Sequence, residues 1–262
     1  MNGADTKNQL DRIIEYSNAP TYPITVESEK GTGVIKNPAG GEAQKKVSDV
    51  FTLAFETSAD YEFIKWKIID KKTKTEYPNG QYLSIQTLTE DTTTCTFVQE
   101  PPADISLVLY AVTAKRPKVI SNTPLWSDDG AYRDARIQLM FDHDMDENSI
   151  YFDPQTEIPE LKAEYNLIDS DFLANDEGKI YCYKKNGVKY YKNISVENYN
   201  SQKSLLNSYG EPCFEDPRTL VIPANNDNTV PASGTQILVT IGKDICYRTS
   251  ENKAVALKED CT

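Results

Sequence analysis

Short apolar runs, each ended by a turn signal, are the feature that most constrains this fold. Six of them lie between residues 22 and 114: YPITVESE, DVFTLAFET, YEFIKWKIID, QYLSIQTL, TTCTFVQE and ISLVLYAVTA. Turn residues separate them, as in PAGG (residues 38–41) and PNG (78–80). Thr, Val, Ile and Tyr are plentiful, and 14 Pro with 12 Gly punctuate the chain. We therefore predict an all-β protein built from sandwich-like modules.

The second half of the chain has the same texture. In RIQLMF, Ile137, Leu139 and Phe141 fall at every second position, which predicts a strand buried on one face. The segment KIYCYKKNGVKYYKNISV predicts a β-hairpin, because Asn186 and Gly187 supply the positive φ that a two-residue turn needs. RTLVIPA and TQILVTIG are predicted as further strands.

A joint near residue 115 divides the chain into two predicted domains. In AKRPKVISNTP, Pro117 follows two basic residues and a new strand begins at Lys118. We expect a small β module over residues 22–115 and a second β-sandwich over residues 116–262. The segment 154–217 is longer and more polar than a minimal sandwich needs, so it is predicted to be an insertion in the second domain.

Residues 1–21 predict a short amphipathic helix that serves as a linker or as an N-terminal docking helix. Asp5 or Thr6 would cap it, and Leu10, Ile13 and Ile14 would share one helical face. The helix is expected to end before Pro20.

The first module resembles the divergent bacterial surface repeats related to the internalin B-repeat. A Gly-rich turn and a Val/Thr/Leu strand precede Tyr61-x-Phe63-x-x-Trp66, and SLVLYAVTA occupies the place of the closing strand. The resemblance covers roughly residues 22–114, and it implies that these aromatic residues fill the core of a small β module. This chain has Asp60 where the family usually has Gly.

The second module is similar to the bacterial Ig-like domain of S-layer and other surface proteins. Shared features are a proline-bounded first strand, a strand ending in Phe, a Met-Asp pair and two later strands of the types tL-x-I-x-P and Gly-Thr…V-T-I. The matching residues are Phe141, Met145, Asp146, Ser149, Leu220, Ile222, Pro223, Gly234, Thr235, Val239 and Ile241. The insertion at 154–217 departs from the family pattern.

Together the two resemblances imply two tandem Ig-like β-sandwich modules from a bacterial cell-surface or secreted protein. Such modules act as spacers, stalks and adhesion modules. We therefore expect a non-catalytic structural or adhesive function. Two alternatives stay open: a carbohydrate-binding module, and an accessory module of a larger surface hydrolase. The fold alone does not select a ligand.

The segment FDHDMDENSI places four carboxylates and the single His of the chain within ten residues. Asp142, Asp144 and Asp146 have the 1-3-5 spacing of a calcium-binding EF-hand loop. That loop also needs Gly at position 6 and Glu at position 12, where this chain has Glu147 and Asp153. The sequence favours a strand followed by a polar turn, with Met145 tucked under it. Ca²⁺ bound by the three aspartates in another geometry is the metal hypothesis that stays open.

Catalytic motifs are not evident elsewhere in the sequence. His143 has no Ser or Asp partner in a motif, so it is expected to be an exposed residue at a strand end. Gly31-Thr32-Gly33 lacks the Lys-Ser/Thr of a phosphate loop and is predicted to be a turn. We accordingly predict that the protein is not an enzyme and needs no cofactor.

Tyrosines in and near the predicted hairpin are the best candidates for recognition. Tyr181, Tyr183, Tyr190 and Tyr191 offer flat contact area with a hydroxyl group, which suits sugars and protein partners alike. Cross-strand packing within the hairpin is the structural alternative. Trp126 is predicted to lie on a loop and is the one further aromatic contact candidate.

The charge and the composition of the chain restrict the classes of partner that it is expected to bind. With 40 Asp and Glu against 28 Lys and Arg the net charge is −12, and no basic run is longer than a couple of residues. Nucleic acids and anionic membranes both need a Lys/Arg footprint, so neither is expected to bind. No stretch approaches the roughly 18 apolar residues of a membrane span, so membrane insertion is not expected. The predicted partner is a protein or a glycan at the cell surface.

Five cysteines are scattered along the chain, and none forms a CxxC pair. They are expected to be mainly buried apolar side chains, with Cys182–Cys213 as the one disulfide considered. No secretory signal is evident. We expect a fragment of a longer protein from which a native signal or lipoprotein anchor has been removed.

Overall fold

The computed structural model describes the backbone of residues 3–125, 135–225 and 231–262, and the side chains of these residues from Lys7 onward. The chain is mostly β, with 43% strand against 14% helix, so the predicted fold class is confirmed at this level. It divides into two units, Met1–Lys115 and Arg116–Thr262. Each unit is described by itself.

Unit 1 contains helix α1 and nine strands. The bounds are α1 Gly3–Asn18, β1 Tyr22–Ser28, β2 Gly33–Asn37, β3 Glu42–Lys45, β4 Val50–Thr57, β5 Tyr61–Asp70, β6 Glu76–Tyr77, β7 Leu83–Ile85, β8 Thr92–Phe97 and β9 Leu107–Lys115. One sheet has the order β3-β1-β9-β5-β6, and the other has the order β2-β4-β8-β7. Only β1 and β9 pair in parallel among the pairs described in this unit.

The core of unit 1 draws alternate residues from both sheets. In β4, Phe51, Leu53 and Phe55 are buried, while the residues between them are more exposed. In β1, Ile24 and Val26 face the same core. Every second residue of these strands is buried, on both sheets. The short apolar runs of the sequence form strands because a strand places alternate side chains on one face.

A β-bulge explains how Phe63 and Trp66 both reach this core. Residues three positions apart on a regular strand point to opposite faces. The register of β5 against β9 shifts between Phe63 and Lys65, and this extra residue returns Trp66 to the core face. Trp66 is 1% exposed, and its indole Nε1 donates to the carbonyl oxygen of Glu90 at 2.9 Å.

Helix α1 differs from its prediction in two ways. It begins at Gly3, so Asp5 and Thr6 lie inside it and neither is the cap. Its apolar residues Leu10, Ile13 and Ile14 are all exposed. The helix is instead held at its C-terminal end, where the Lys46 ammonium donates to the carbonyl oxygens of Tyr16 and Ser17 at 2.8 and 2.7 Å.

Strands β2, β3 and β6 of unit 1 were not predicted from the sequence. Gly33 begins β2, although the sequence placed it as the last residue of a turn. A Cβ atom at this position would lie 2.4 Å from the Phe55 ring, so the glycine permits a close approach of β2 to β4. The strand therefore depends on glycine, which has no side chain, at this position. A search for apolar periodicity does not find such a strand.

Unit 2 contains helix α2 and eleven strands among its described residues. The bounds are β10 Val119–Thr123, β11 Ile137–Phe141, α2 Glu157–Tyr165, β12 Phe172–Ala174, β13 Ile180–Lys185, β14 Val188–Tyr191, β15 Ile194–Asn198, β16 Cys213–Asp216, β17 Thr219–Ile222, β18 Ile237–Ile241, β19 Cys246–Arg248 and β20 Ala254–Ala256. The sheets have the orders β10-β11-β17-β16, β12-β13-β14-β15-β18 and β19-β20.

The segment 154–217 is an integral part of unit 2. It supplies four of the five strands in the second sheet, and β15 pairs with β18 from Ile194↔Ile241 to Asn198↔Ile237. The main core of unit 2 contains residues from this sheet and from the sheet of β11 and β17. Ile137, Leu139 and Phe141 are buried as the alternation predicted, and Met145 joins the same core.

All five cysteines are free thiols, so the Cys182–Cys213 disulfide considered from the sequence is wrong. Cys182 is buried on β13 opposite Tyr191, whereas Cys213 is exposed on β16 opposite Val221 in a different sheet. Burial raises the pKa of the Cys182 thiol to about 12, which keeps it protonated and unreactive.

Candidate binding cleft

The hairpin of β13 and β14 forms as its turn predicts. Asn186 and Gly187 adopt φ values of 52° and 80°, the left-handed region that a two-residue hairpin turn requires. The register places Tyr183 opposite Tyr190 and Cys182 opposite Tyr191. Side chains of directly opposed residues lie on the same face of a sheet, so this turn determines which tyrosines meet.

The hairpin tyrosines separate into two groups. Tyr191 belongs to the main core of unit 2, with Tyr181 partly buried against that core. The Tyr191 hydroxyl donates to the carbonyl oxygens of Tyr209 and Gly210 at 3.0 and 2.6 Å. Burial raises the pKa of Tyr191 well above its usual value. This hydroxyl is therefore hydrogen-bonded inside the protein.

Tyr183 and Tyr190 form the second group, on the other face of the hairpin. Their rings stack with centroids 5.2 Å apart and planes inclined by 14°. Tyr183 is buried, and burial raises its pKa to about 12. Tyr190 remains 37% exposed. Of the four tyrosines singled out from the sequence, Tyr190 presents the most accessible ring. Trp126 lies outside the described residues.

Tyr183 is the centre of a small aromatic cluster that is separate from the main core. Phe152, Tyr165 and Phe172 surround it at centroid distances of 5.9–6.1 Å. Tyr165 is the last residue of α2, which ends where Asn166 adopts the left-handed conformation. Helix α2 packs on the hairpin through Ile158, which belongs to the same cluster.

A cavity of about 380 Å³ lies beside this aromatic cluster. Its apolar lining consists of Phe152, Leu161, Tyr165, Tyr183 and Tyr191. The volume is at the lower end of the range for small-ligand sites, and a mixed aromatic and polar lining is typical of such sites. The cavity can therefore accommodate a side chain or a small molecule.

Charged residues give this cavity an acidic character. Its lining contains Glu157, Glu160, Glu164 and Asp244 but only one cation, Lys192. The three glutamates share one face of α2 because they are spaced by three and four residues. Asp244 comes from the turn between β18 and β19.

The four carboxylates differ in whether they already have hydrogen-bond or ion-pair partners. Glu157 pairs with the Lys192 ammonium at 2.7 Å and also accepts the backbone N–H of Asp153 at 2.6 Å. The hydrogen bond of Tyr165 with Glu164 raises the pKa of that tyrosine. Within the parts of the chain that the structure describes, Glu160 and Asp244 have no hydrogen-bond or ion-pair partner.

The amide of Asn193 also lines the 380 Å³ cavity. Its Nδ2 atom is buried and has no hydrogen-bond partner in the described structure. Leaving a buried donor unsatisfied costs about 1–3 kcal/mol. Asn193 is held in place by the hairpin turn that it forms between β14 and β15, with φ at 53°.

A second cavity, of about 490 Å³, adjoins the first and shares Phe152, Lys192 and Asp244 with it. Its further cations, Lys179 and Arg248, are both paired. Lys179 lies 3.3 Å from Glu147 and 3.2 Å from Glu177, and Arg248 lies 2.7 Å from Asp146. We call the two cavities together the cleft. The unpaired Asp244 lines both parts, and the unpaired Glu160 lines the smaller part alone.

The three aspartates proposed for Ca²⁺ contact different partners. Asp142 accepts the backbone N–H of Lys118 at 2.8 Å, Asp144 pairs with Arg218 at 2.6 Å, and Asp146 pairs with Arg248. Among the described residues no group of three or more His, Cys, Asp and Glu side chains is arranged to hold a metal ion. Calcium binding by these aspartates stays a prediction.

Asp146 has a structural role in this segment. Its carboxylate accepts the backbone N–H of Asn148 at 3.0 Å and so caps the 3₁₀ turn Glu147–Ile150. Partial burial raises its pKa, but the hydrogen bonds from Arg248 and Asn148 outweigh that effect, so the pKa is lowered overall. Asp146 therefore stabilises the turn that follows it.

His143 is partly buried rather than fully exposed at the strand end. Its ring stacks on Tyr247 with centroids 4.5 Å apart, and its Nδ1 lies 2.8 Å from the Asp142 carboxylate. The stacking joins the start of the acidic segment to β19, and the contact with Asp142 lies within the segment. The prediction of an exposed histidine is wrong because β19 was not recognised in the sequence.

The charged and amide residues of the acidic cavity were not identified as candidates from the sequence. The spacing of Glu157, Glu160 and Glu164 is a readable signal for one helical face. Asp244 and Asn193 give no such signal, because they reach the cavity through two separate turns. Tyr183 and Tyr191 were identified, and the structure places both in the lining of this cavity.

Comparisons with known proteins yield no relative. No protein-family model, no curated protein and no solved structure matches this chain. Among the described residues, no helix has both the length and the apolar character required to cross a membrane.

Proposed function

We propose that the chain is a non-catalytic structural and adhesive module of a bacterial cell-surface or secreted protein. In this proposal each unit is an Ig-like β-sandwich, and the chain presents or spaces a binding surface. The observation that carries it is the cleft of unit 2. A β scaffold with a buried core displays a concave surface built from α2, the tyrosine hairpin and the turn after β18.

The composition and the lining of the cleft support recognition. Aromatic rings provide contact area, and carboxylates and amides provide directional hydrogen bonds. The net charge of −12 favours a soluble, solvated surface and attracts cationic partners. A protein at the cell surface is accordingly the favoured partner.

Carbohydrate binding is the second candidate, and Tyr190 is the observation that favours it. The ring is 37% exposed and is held flat by stacking on Tyr183. A fixed aromatic face of this kind suits the apolar face of a sugar ring. A chain with this property would also fit the role of an accessory module of a larger surface hydrolase.

Two parallel screens of the whole chain test these candidates. The immobilised chain is exposed to a mixture of extracellular host proteins and, separately, to a glycan array. Glu160→Gln alters the cleft, Tyr190→Ala removes the exposed ring that stacks on Tyr183, and Glu90→Gln serves as a matched control in an exposed position of unit 1. Capture of a protein that is lost in Glu160→Gln supports adhesion, whereas glycan hits lost in Tyr190→Ala support the second candidate.

The non-catalytic assignment has its own test. The chain is incubated with captured ligands, and products are analysed by mass spectrometry. Cleavage of a ligand that disappears when the cleft carboxylates are replaced would overturn the proposal. Unchanged ligands recovered in full after prolonged incubation agree with it.

A further inference from the structure

Tyr190 differs from the other exposed tyrosines that the structure describes, Tyr16 and Tyr199. Neither of those two stacks on another ring within the described parts of the chain. Tyr190 packs face to face on Tyr183, which is itself buried in the aromatic cluster. A side chain that is already held in place loses little conformational freedom when a ligand binds to it. Tyr190 is therefore an exposed ring that is fixed in advance.

The geometry of the stack determines which face of the Tyr190 ring is free. The two ring centroids are 5.2 Å apart and the ring planes are inclined by 14°. Neighbouring strands of a sheet are about 4.8 Å apart, so the two rings stand upright on the sheet, one beside the other across the strands. Tyr183 of β13 covers one face of the Tyr190 ring. The other face is directed toward β15, the next strand of the sheet.

Small hydroxyl side chains lie in front of this free face. Tyr191 and Ile194 are paired and point into the core, so Tyr190 and Ser195, each one position further along, lie on the outer face of the sheet. Ser195 is paired in turn with Thr240 of β18. In the described structure neither hydroxyl makes a hydrogen bond to another protein group. We call Tyr190, Ser195 and Thr240 together the Tyr190 step.

The chemistry of the Tyr190 step matches a neutral pyranose. A pyranose ring has C–H groups on its face, which pack on an aromatic ring, and hydroxyls at its edge, which hydrogen-bond to serine and threonine. The step contains no charged side chain, and the net charge of −12 on the chain repels anionic sugars. An aliphatic side chain of a partner protein would use the ring alone and would leave both hydroxyls without partners.

We propose that the Tyr190 step binds one neutral pyranose unit of a glycan. A C–H face of the sugar packs on the free face of Tyr190, and sugar hydroxyls hydrogen-bond to Ser195 and Thr240. Because Tyr183 covers the second face of the ring, the step offers one stacking surface and accepts a single unit. This inference rests on the carbohydrate-binding candidate for the function, and it specifies the class of sugar and the residues that bind it.

The test uses the full chain, with methyl β-D-glucopyranoside and methyl β-D-galactopyranoside as probes in NMR titrations. We expect saturable, weak binding of at least one probe, with magnetisation transferred mainly to the C–H protons of one sugar face. Added salt should leave the affinity unchanged, because no ion pair forms. The anionic methyl β-D-glucuronide should bind less tightly than the glucoside. In Tyr190→Ala the affinity should fall about tenfold or more, because the stacking surface is lost.

Matched variants separate the ring from the space in front of it. Tyr190→Phe keeps the ring and should bind the sugar as the parent does. Ser195→Leu also keeps the ring but fills the space that the sugar occupies, so it should abolish binding. Tyr199→Ala removes an exposed tyrosine that lies outside the stack and should leave binding unchanged. Thermal melting of each variant confirms that it is folded.

Three results would overturn the inference. The first is the absence of saturable binding for both neutral probes. The second is unchanged affinity in Tyr190→Ala and in Ser195→Leu, which would locate the sugar elsewhere on the chain. The third is equal or tighter binding of the glucuronide, which would contradict a site for neutral sugars.

Failure of this inference is distinguishable from failure of the proposed function. If hits on the glycan array persist in Tyr190→Ala and Ser195→Leu, carbohydrate binding stands and the Tyr190 step is the wrong site. If an extracellular protein is captured equally by the parent and by both variants and no sugar binds, adhesion stands and the step is wrong. If a pyranoside binds at the step but the chain captures neither a glycan nor a protein, the step stands and the proposed function is wrong.

Discussion

The two units of this molecule use aromatic residues in different ways. In unit 1, Phe55, Phe63 and Trp66 contact one another at centroid distances of 5.4–6.4 Å within the single core between the two sheets. In unit 2, Tyr183 and Tyr190 stack in a small cluster outside the main core and beside a cavity. The same residue class therefore supports stability in one unit and lies beside a cavity in the other.

The position of a ring relative to the sheets therefore matters more than its presence in the sequence. A ring enclosed between two sheets loses all contact with water, and its apolar area stabilises the fold. A ring on the outer face of a hairpin is covered only by what packs on that face. In unit 2 the cover consists of Phe152, Phe172 and residues of α2, and it buries Tyr183 while Tyr190 stays 37% exposed.

Replacement of Trp66 by Ala should produce the largest effect in this comparison. Removing a fully buried indole leaves a cavity, and the free energy of unfolding of unit 1 should fall by about 3–5 kcal/mol. Chemical denaturation followed by circular dichroism measures it, with Trp66→Phe as the milder control. A loss below about 1 kcal/mol would contradict the assignment of Trp66 to the core.

Replacement of Tyr191 by Phe should have the next largest effect. Its hydroxyl donates to the carbonyl oxygens of Tyr209 and Gly210, and both would lose a buried donor. We expect the free energy of unfolding to fall by about 1–3 kcal/mol. Tyr190→Phe, the neighbouring residue on the exposed face, should change it by less than about 0.5 kcal/mol. Similar losses in both variants would remove the distinction between the two faces.

Alkaline pH should destabilise unit 2 through its buried tyrosines. Burial raises the pKa of Tyr183 and of Tyr209 to about 12 from the usual value of 10.0. Since both groups are harder to ionise in the folded state, they stabilise the protein fully below pH 10, and this contribution is lost as the pH rises from about 10 to 12. Denaturation measured across that range tests the prediction.

Tyr209→Phe is the control for the alkaline prediction. It should reduce the steepness of the decline, because one ionisable group is removed from the buried set. A decline equally steep in Tyr209→Phe would show that Tyr209 does not contribute. Stability that stays constant between pH 10 and 12 would contradict the burial of both tyrosines.

The smallest effect is expected from Ca²⁺. Binding by Asp142, Asp144 and Asp146 would have to break the contacts of Asp144 with Arg218 and of Asp146 with Arg248. We therefore expect millimolar Ca²⁺ to leave the melting temperature of the chain unchanged. A reproducible rise that is absent in Asp144→Asn would establish the calcium site, and Mg²⁺ serves as the control ion.

Much of the strand pattern could be predicted because it depends on local signals. The alternation in RIQLMF and the Asn186-Gly187 turn each act over a few residues, and the structure confirms both. Strand β2 escaped prediction because it depends on the absence of a side chain at Gly33 against Phe55. The buried face of each of these strands follows from the alternation of apolar and polar residues, and a single sequence shows that alternation.

The candidate site was only partly predictable. Tyr183 and Tyr190 were identified as residues with recognition chemistry, but the pattern did not show which of them would be enclosed. Glu160 and Asp244 line one cavity although more than 80 residues separate them in the sequence. The pairing of β15 with β18 brings Ile241, three residues before Asp244, opposite Ile194, and a single sequence does not display such long-range pairing.

Local sequence signals and the charge count were sufficient to predict that this chain is mostly β, where its clearest hairpin turns, and that it is acidic. These properties follow from backbone preferences and from the count of charges, which require no knowledge of distant contacts. Long-range packing, by contrast, places Tyr191 inside while Tyr190 stays accessible, and brings Glu160 and Asp244 to one cavity. Burial and the pairing of charges depend on which distant segments pack together, and a single sequence does not display this.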